Sequence, residues 1–251
     1  MAAISNNEIK FIKSLSLKKN RDKEGLFVVE GEKLVAEAVK SGWKIKKIYR
    51  RDEIGEEAMS RISATSSPAP SIAIVHQAPG IRHPNTDVLP RLLAGGGLFL
   101  GLDAVRDPGN LGTILRIADW FGVKAVFASP DTVEVFNPKT VQATMGAIFR
   151  VNIIYTDLAA VSREVRSCGG SVYGTFLDGE NLYGKTLNTG DRLPSVIIVG
   201  NEANGISDTI EAEVTDRLYI PPYPADDPGS ESLNVAVATA VTIAEFRRRL
   251  Q

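Results

Sequence analysis

The chain has 251 residues, 43% of them hydrophobic and 24% charged, with 29 Lys+Arg against 30 Asp+Glu. This is ordinary globular usage, enough for one or two domains of about 150 residues; it excludes wholesale disorder and a uniformly basic coat. One cysteine, Cys168, excludes an intrachain disulfide framework and a cysteine-rich zinc site. No run reaches the ~18 apolar residues of a membrane helix, and residues 1–20 carry no signal-peptide core, so a reduced, cytoplasmic setting is expected. The charge is uneven: residues 1–50 carry +6 and the rest −7. A basic end on a near-neutral chain suggests a polyanion docked there, against the plainer reading of a solvated helical face.

Residues 5–20 read as one amphipathic helix, with Ile9, Ile12 and Leu15 on one side and lysines around them. Residues 26–30 read as a strand and 32–41 as a helix with Leu34, Ala38 and Val39 inward, stopped by Gly42. Residues 46–49 and 71–76 read as further strands, completing a small α/β unit. Between 78 and 97, Pro79, Gly80, Pro84, Pro90 and Gly95–Gly97 punctuate the chain. The expected division is therefore a first domain at 1–78, a linker at 79–96 and a second domain at 97–251.

Beyond the linker, strands expected at 98–102, 125–128, 151–154, 171–175, 195–200 and 217–220 alternate with helices at 110–121, 140–147, 158–167 and 233–250. Apolar strands alternating with helices imply a mostly parallel sheet covered on both faces. In such sheets ligands bind beyond the carboxyl ends of strands, and three segments place polar residues there.

The first is LDAVRDPGNLGTILR, residues 102–116. Pro108 and Gly109 force a turn, Asp107 or Asn110 can cap the next helix, and Arg116 lies near its apolar stripe, where a cation needs an anionic partner or a cleft. The second is VIIVGNEANGIS, residues 196–207. Gly200 permits close backbone approach, and Glu202 at the end of a buried strand is costly unless paired or used. The third, residues 220–237, follows a short strand with prolines and acids before Ser232-Leu233-Asn234; Ser232 reads as the N-cap of the last helix. Each segment alone has a plain reading as a cap or turn. His76 and His83 read as surface residues and Cys168 as a small buried hydrophobe. No strand runs into GxGxxG, there is no GxxxxGK[ST], and no cluster has metal-ligand spacing.

Taken in order, these segments resemble the three motifs of the SpoU (TrmH-type) RNA 2′-O-ribose methyltransferases of the SPOUT superfamily. Asn110-Leu-Gly112-Thr-Ile-Leu-Arg116 is similar to the first motif and Val199-Gly200-Asn201-Glu202-Ala-Asn-Gly205-Ile-Ser207 to the second. Ile220-Pro221 with Ser232-Leu233-Asn234-Val235 is similar to the third. Residues 27–39 resemble the small substrate-binding domain, similar to ribosomal protein L30e, of rRNA-directed members.

The resemblance implies an α/β fold with a C-terminal trefoil knot, an exception to the rule of unknotted chains. It also implies S-adenosylmethionine as cofactor, no metal, RNA (rRNA above all) as substrate, and a homodimer with the active site at the subunit interface. It assigns Asn110, Arg116, Glu202, Ser232 and Asn234 to the functional polar positions, and Thr175, Phe176, Gly200, Ile220 and Leu233 to the cofactor. Arg116 would help remove the ribose hydroxyl proton or bind the adjacent phosphate. Arginine is a weak base, its pKa exceeding about 12, so stabilising phosphate and alkoxide is its physically safer role. The loop 223–231 is longer than the family's usual spacing and adds Asp226 and Asp227, which are expected to point away from RNA or to meet a partner. A related enzyme methylating a base nitrogen, and a non-catalytic RNA-binding factor, are the alternatives.

Overall fold

The computed structural model describes residues 4–65, 67–78, 88–224 and 229–250. They form two compact units, one of residues 1–78 with 134–150 and the other of residues 79–133 with 151–251. The chain opens with α1 (Asn6–Ser14), α2 (Lys18–Glu24), β1 (Leu26–Glu30), α3 (Glu32–Lys40) and β2 (Ile45–Arg50). It continues through α4 (Arg51–Ile54), α5 (Glu56–Ile62), β3 (Ser71–His76), α6 (Val88–Ala94), β4 (Gly97–Leu102), α7 (Pro108–Trp120) and β5 (Val126–Ala128). Next come α8 (Pro138–Thr144), a 3-10 turn (Ala147–Phe149), β6 (Ile153–Tyr155), α9 (Leu158–Ser167), β7 (Ser171–Asn181) and β8 (Pro194–Val199). The last elements are α10 (Asp208–Glu211), β9 (Asp216–Tyr219) and α11 (Val235–Arg248).

In the first unit the sheet runs β1-β3-β2, antiparallel throughout. Ile9, Ile12, Leu15, Leu26, Met59, Ile72 and Ile74 fill its core. The single helix expected over 5–20 is two, because the chain turns at Leu15–Leu17. The Arg21 guanidinium holds that corner by donating to Leu15 O (2.9 Å) and Ser16 O (2.7 Å), satisfying carbonyls at the end of α1. Arg21 is 2% exposed and pairs with Glu134 at 2.7 Å, so it is not part of the basic face. On α3 the buried residues are Leu34, Val35 and Ala38; Val39, expected inward, is exposed. Residues 134–150 join this unit through aromatic rings. Phe27 lies 4.7 Å from Phe136, and Trp43 meets Phe149 edge-on at 5.3 Å.

The second unit is built on a six-stranded sheet, β6-β5-β4-β8-β7-β9, parallel at every pairing. β4 and β8 are buried at every position, as a strand covered on both faces requires. Phe99, Phe127, Leu158, Val161, Val165, Val172, Val196 and Ile198 pack one core. Within the stretch expected as linker, α6 forms and buries Leu93. Cys168 is partly buried against this core rather than fully inside it. His76 ends β3 half-buried, while His83, Asp226 and Asp227 lie outside the described residues. Among the described residues no helix is long and apolar enough to cross a membrane.

The strand order fixes where a ligand can enter. β4 and β8 are neighbours, yet β4 leads through α7 to β5 on one side, and β8 leads through α10 to β9 on the other. Connections that diverge from adjacent parallel strands leave a crevice at their carboxyl ends.

Candidate active site

The crevice is lined by the turn after β4, the loop after β8 and the start of α11. In the first, Asp107 is the cap: its carboxylate accepts from Asn110 N at 2.7 Å, with Pro108 in the first helical turn. The cap thus falls to Asp107, and the Asn110 side chain is free for other work. Asn110 Nδ2 donates to Glu202 Oε1 at 2.5 Å. Asn110 Oδ1 accepts from Asn234 Nδ2 at 3.0 Å. One relay, Asn234 to Asn110 to Glu202, therefore joins three loops distant in sequence.

Asn234, not Ser232, is the N-cap of α11. Its Oδ1 accepts from Ala236 N at 3.0 Å and Val237 N at 3.3 Å, so the helix opens at Val235. The earlier expectation failed because serine and asparagine are near-equal caps, and the apolar run begins only after Asn234. Ser232 lies two residues upstream, exposed, outside the relay.

Arg116 also stands outside it. The apolar stripe of α7, Leu111, Ile114, Leu115 and Ala118, is buried as expected, and Arg116 projects from the other side, exposed. Among the described residues it has no hydrogen bond or ion pair, so the anionic partner it was expected to need is not supplied within them.

Two residues outside the assigned site positions, Asp103 and Asn201, fix the Glu202 loop. Asp103 is 5% exposed and accepts from Ser207 N at 2.7 Å. Asn201 donates to Ala104 O at 2.8 Å and accepts from Ala203 N at 2.9 Å. Ala104 itself sits at φ 53, an uncommon conformation for a residue with a side chain. The loop closes through paired main-chain bonds between Asn201 and Gly205. A Cβ on Gly200 would lie 2.2 Å from the Gly205 carbonyl carbon, so only glycine allows that closure. Asp103 had a signal in the sequence: a carboxylate directly after an all-apolar strand, the same argument that singles out Glu202.

β8, β7 and β9 are neighbours in the sheet, and of the residues assigned to a cofactor Thr175 and Phe176 lie within β7, just past its pairing with β8. Thr175 Oγ1 reaches Ile198 O at 3.4 Å, Gly200 follows β8 and Ile220 follows β9. Leu233, just before the α11 cap, is 49% exposed. Half-buried apolar side chains and glycine backbone at strand ends suit a purine nucleoside, so S-adenosylmethionine fits this donor set. The Phe176 ring is engaged by Arg217, whose guanidinium stacks 3.6 Å from its centroid. Arg217 in turn pairs with Asp178 and Glu211, and these bonds hold its charge more firmly and lower the Asp178 pKa.

A parallel sheet with polar loops at its switch point defines an α/β protein of the class that binds its ligand beyond the strand ends. The pattern of the SpoU rRNA Methylase family matches residues 97–244, and that of the MRM3-like substrate binding domain matches residues 6–74. The chain is 33% identical to the 23S rRNA (guanosine(2553)-2′-O)-methyltransferase RlmP of Bacillus subtilis, over 96% of each chain. It is 37% identical to the 23S rRNA (guanosine-2′-O-)-methyltransferase RlmB of Xanthomonas axonopodis, over 62% of this chain and 61% of the relative. Among solved structures, the AdoMet-bound rRNA methyltransferase of Sinorhizobium meliloti superposes with a TM-score of 0.85 at 31% identity, covering 100% of this chain and 98% of that one. The chain belongs to the SpoU family, among the S-adenosylmethionine-dependent RNA ribose 2′-O-methyltransferases.

Proposed function

We propose that this enzyme methylates a ribose 2′-hydroxyl of ribosomal RNA, in the cytoplasm, as a homodimer whose active site needs residues of both copies. The observation that carries this reading is the Asn234–Asn110–Glu202 relay, with Arg116, which has no partner among the described residues, on the same helix as Asn110. The sulfonium methyl of the cofactor is already activated for transfer, so the chain's own work is alignment and charge.

Glu202 holds Asn110 in one orientation, and Asn110 shares its carbonyl oxygen with Asn234, which ties the α11 end into the same unit. Such a rigid amide set orients the ribose, supplying proximity rather than chemical activation. Arg116, charged and exposed, stabilises the developing alkoxide and the neighbouring phosphate. Trp120 (85% exposed) at the end of α7 and Val237 (49% exposed) near the start of α11 are apolar side chains that a second copy would cover. Residues 1–78 would grip the RNA. There Lys10, Lys13, Lys44, Lys46 and Lys47 are exposed, and Lys46 lies 4.7 Å over the Phe11 ring. Residues 97–251 would carry the methyl transfer and the trefoil knot. The insertion of β8 between β4 and β7 supports such interleaving.

Nucleoside analysis of methylated product tests the reaction class. A 2′-O-methyl blocks alkaline cleavage at that linkage, whereas a methyl on a base nitrogen leaves it cleavable. A cleavable product would overturn the ribose assignment. Absence of S-adenosylmethionine binding by calorimetry would favour a non-catalytic RNA-binding role.

A further inference from the structure

One face of α3 presents Lys33, Ala36, Glu37 and Lys40, spaced three and four residues apart so that they form a single stripe. Met145 and Arg150, on either side of the 3-10 turn, stand opposite and close a groove of about 500 Å3 wholly within the first unit. Its rim is cationic. Lys33, Lys40 and Arg150 face one carboxylate, Glu37, which pairs with Arg150 and lies 3.8 Å from Lys40. Of these four side chains, three are cationic and one is anionic. Its floor is apolar, made by Ala36 and the Met145 thioether.

Met145 is the informative residue. It ends α8 in the left-handed region, φ 49 and ψ 34, where glycine is at ease and a side chain is not. Yet its side chain is 47% exposed, so burial gives little in return. Gly146 follows at φ 96, and a Cβ there would come within 2.9 Å of Glu37 Cγ, which holds the turn against α3. A strained residue with an exposed, polarisable side chain over a cationic groove fits a ligand that brings a flat ring and negative charge together. Unpaired nucleotides do so: bases stack on exposed side chains while Lys and Arg take the phosphates. A duplex would offer the phosphates without the base.

We propose that the α3–Met145 groove binds an unpaired stretch of the RNA substrate, with a base on Met145 and Ala36 and phosphates on Lys33, Lys40 and Arg150. This rests on the reading of the chain as an RNA methyltransferase. The test uses the full chain and in-vitro-transcribed 23S rRNA, with RNA affinity, methyl transfer, S-adenosylmethionine binding and melting temperature measured together. Met145→Gly relieves the backbone and removes the floor; it should raise the RNA Kd and the KM about 5- to 20-fold while the melting temperature holds or rises. Met145→Leu should restore most of the affinity. Lys33→Glu with Lys40→Glu should weaken binding at least about 30-fold and flatten the slope of log K against log salt by about 1.4, the share of two single-strand phosphate contacts. Unchanged RNA affinity in both variants overturns the proposal, as does a loss that appears only with a fall in melting temperature. Methyl transfer by the wild type judges the underlying reading separately: if it is absent while the variants still lose RNA affinity, the groove stands and the enzymatic reading falls.

Discussion

Because Asp107 takes the helix cap, Asn110 can serve two partners at once, and its amide is where the three loops meet. Asn110→Ala removes both bonds and leaves Glu202 without its donor; kcat should fall about 10- to 100-fold, with cofactor affinity less affected, as single-turnover transfer would show. Arg116→Ala touches no bond among the described residues. It should abolish transfer, by about a thousandfold or more, with the melting temperature unchanged; retained activity would remove Arg116 from the mechanism. Asp103→Ala strips the acceptor from Ser207 N in a buried setting and should cost about 1–3 kcal/mol of stability together with activity. Asp103→Asn, which keeps an acceptor oxygen, should cost less, and denaturant titration of both variants measures the difference.

At the scale of elements, α11 is held at its C-terminal end by cations. Arg247 donates to Phe121 O and Gly122 O, each at 2.8 Å, closing the carbonyls that follow α7. Glu245, 6% exposed, pairs with Arg248 at 2.7 Å and Arg249 at 2.6 Å. The Arg248 hydrogen bond foremost, then that of Arg249, draws its carboxyl down to about 2. A depressed carboxyl pKa contributes stability above the unfolded value, near 4.5, and loses it as pH falls through the folded value. Glu245→Gln should therefore be less stable than wild type at pH 7, by about 1–3 kcal/mol. The gap should close between pH 5 and pH 2, which thermal melts across that range would display. A gap independent of pH would remove the ion pairs from the account.

Elements also show what the sequence made legible. Buried parallel strands announce themselves as apolar runs, so β4 and β8 were readable from composition alone. The α1–α2 corner was not, because the residue that makes it, Arg21, reads as one more surface cation until Glu134, 113 positions away, is seen beside it. Asn234 rather than Ser232 caps α11 for a related reason: capping chemistry identifies candidates, and only the geometry of the turn chooses between them. The motif residues were legible as types at spacings. Their assembly into a relay was not, since it depends on β8 lying beside β4.

For the whole molecule, the division of labour is between a basic α/β unit and a parallel sheet with a site at its switch point. In the proposed homodimer, Arg116 acts on a substrate presented by the partner copy. Trp120→Glu with Val237→Glu should convert the proposed dimer to a monomer in sedimentation and lower transfer in parallel. A fully active monomer would refute the shared site. The most direct measurement is transfer of a tritiated methyl from S-adenosylmethionine to ribosomal and transfer RNA pools that lack the modification, followed by mapping. One alkali-resistant 2′-O-methylated nucleotide is expected, in ribosomal RNA. Label confined to transfer RNA, or placed on a base, would contradict it.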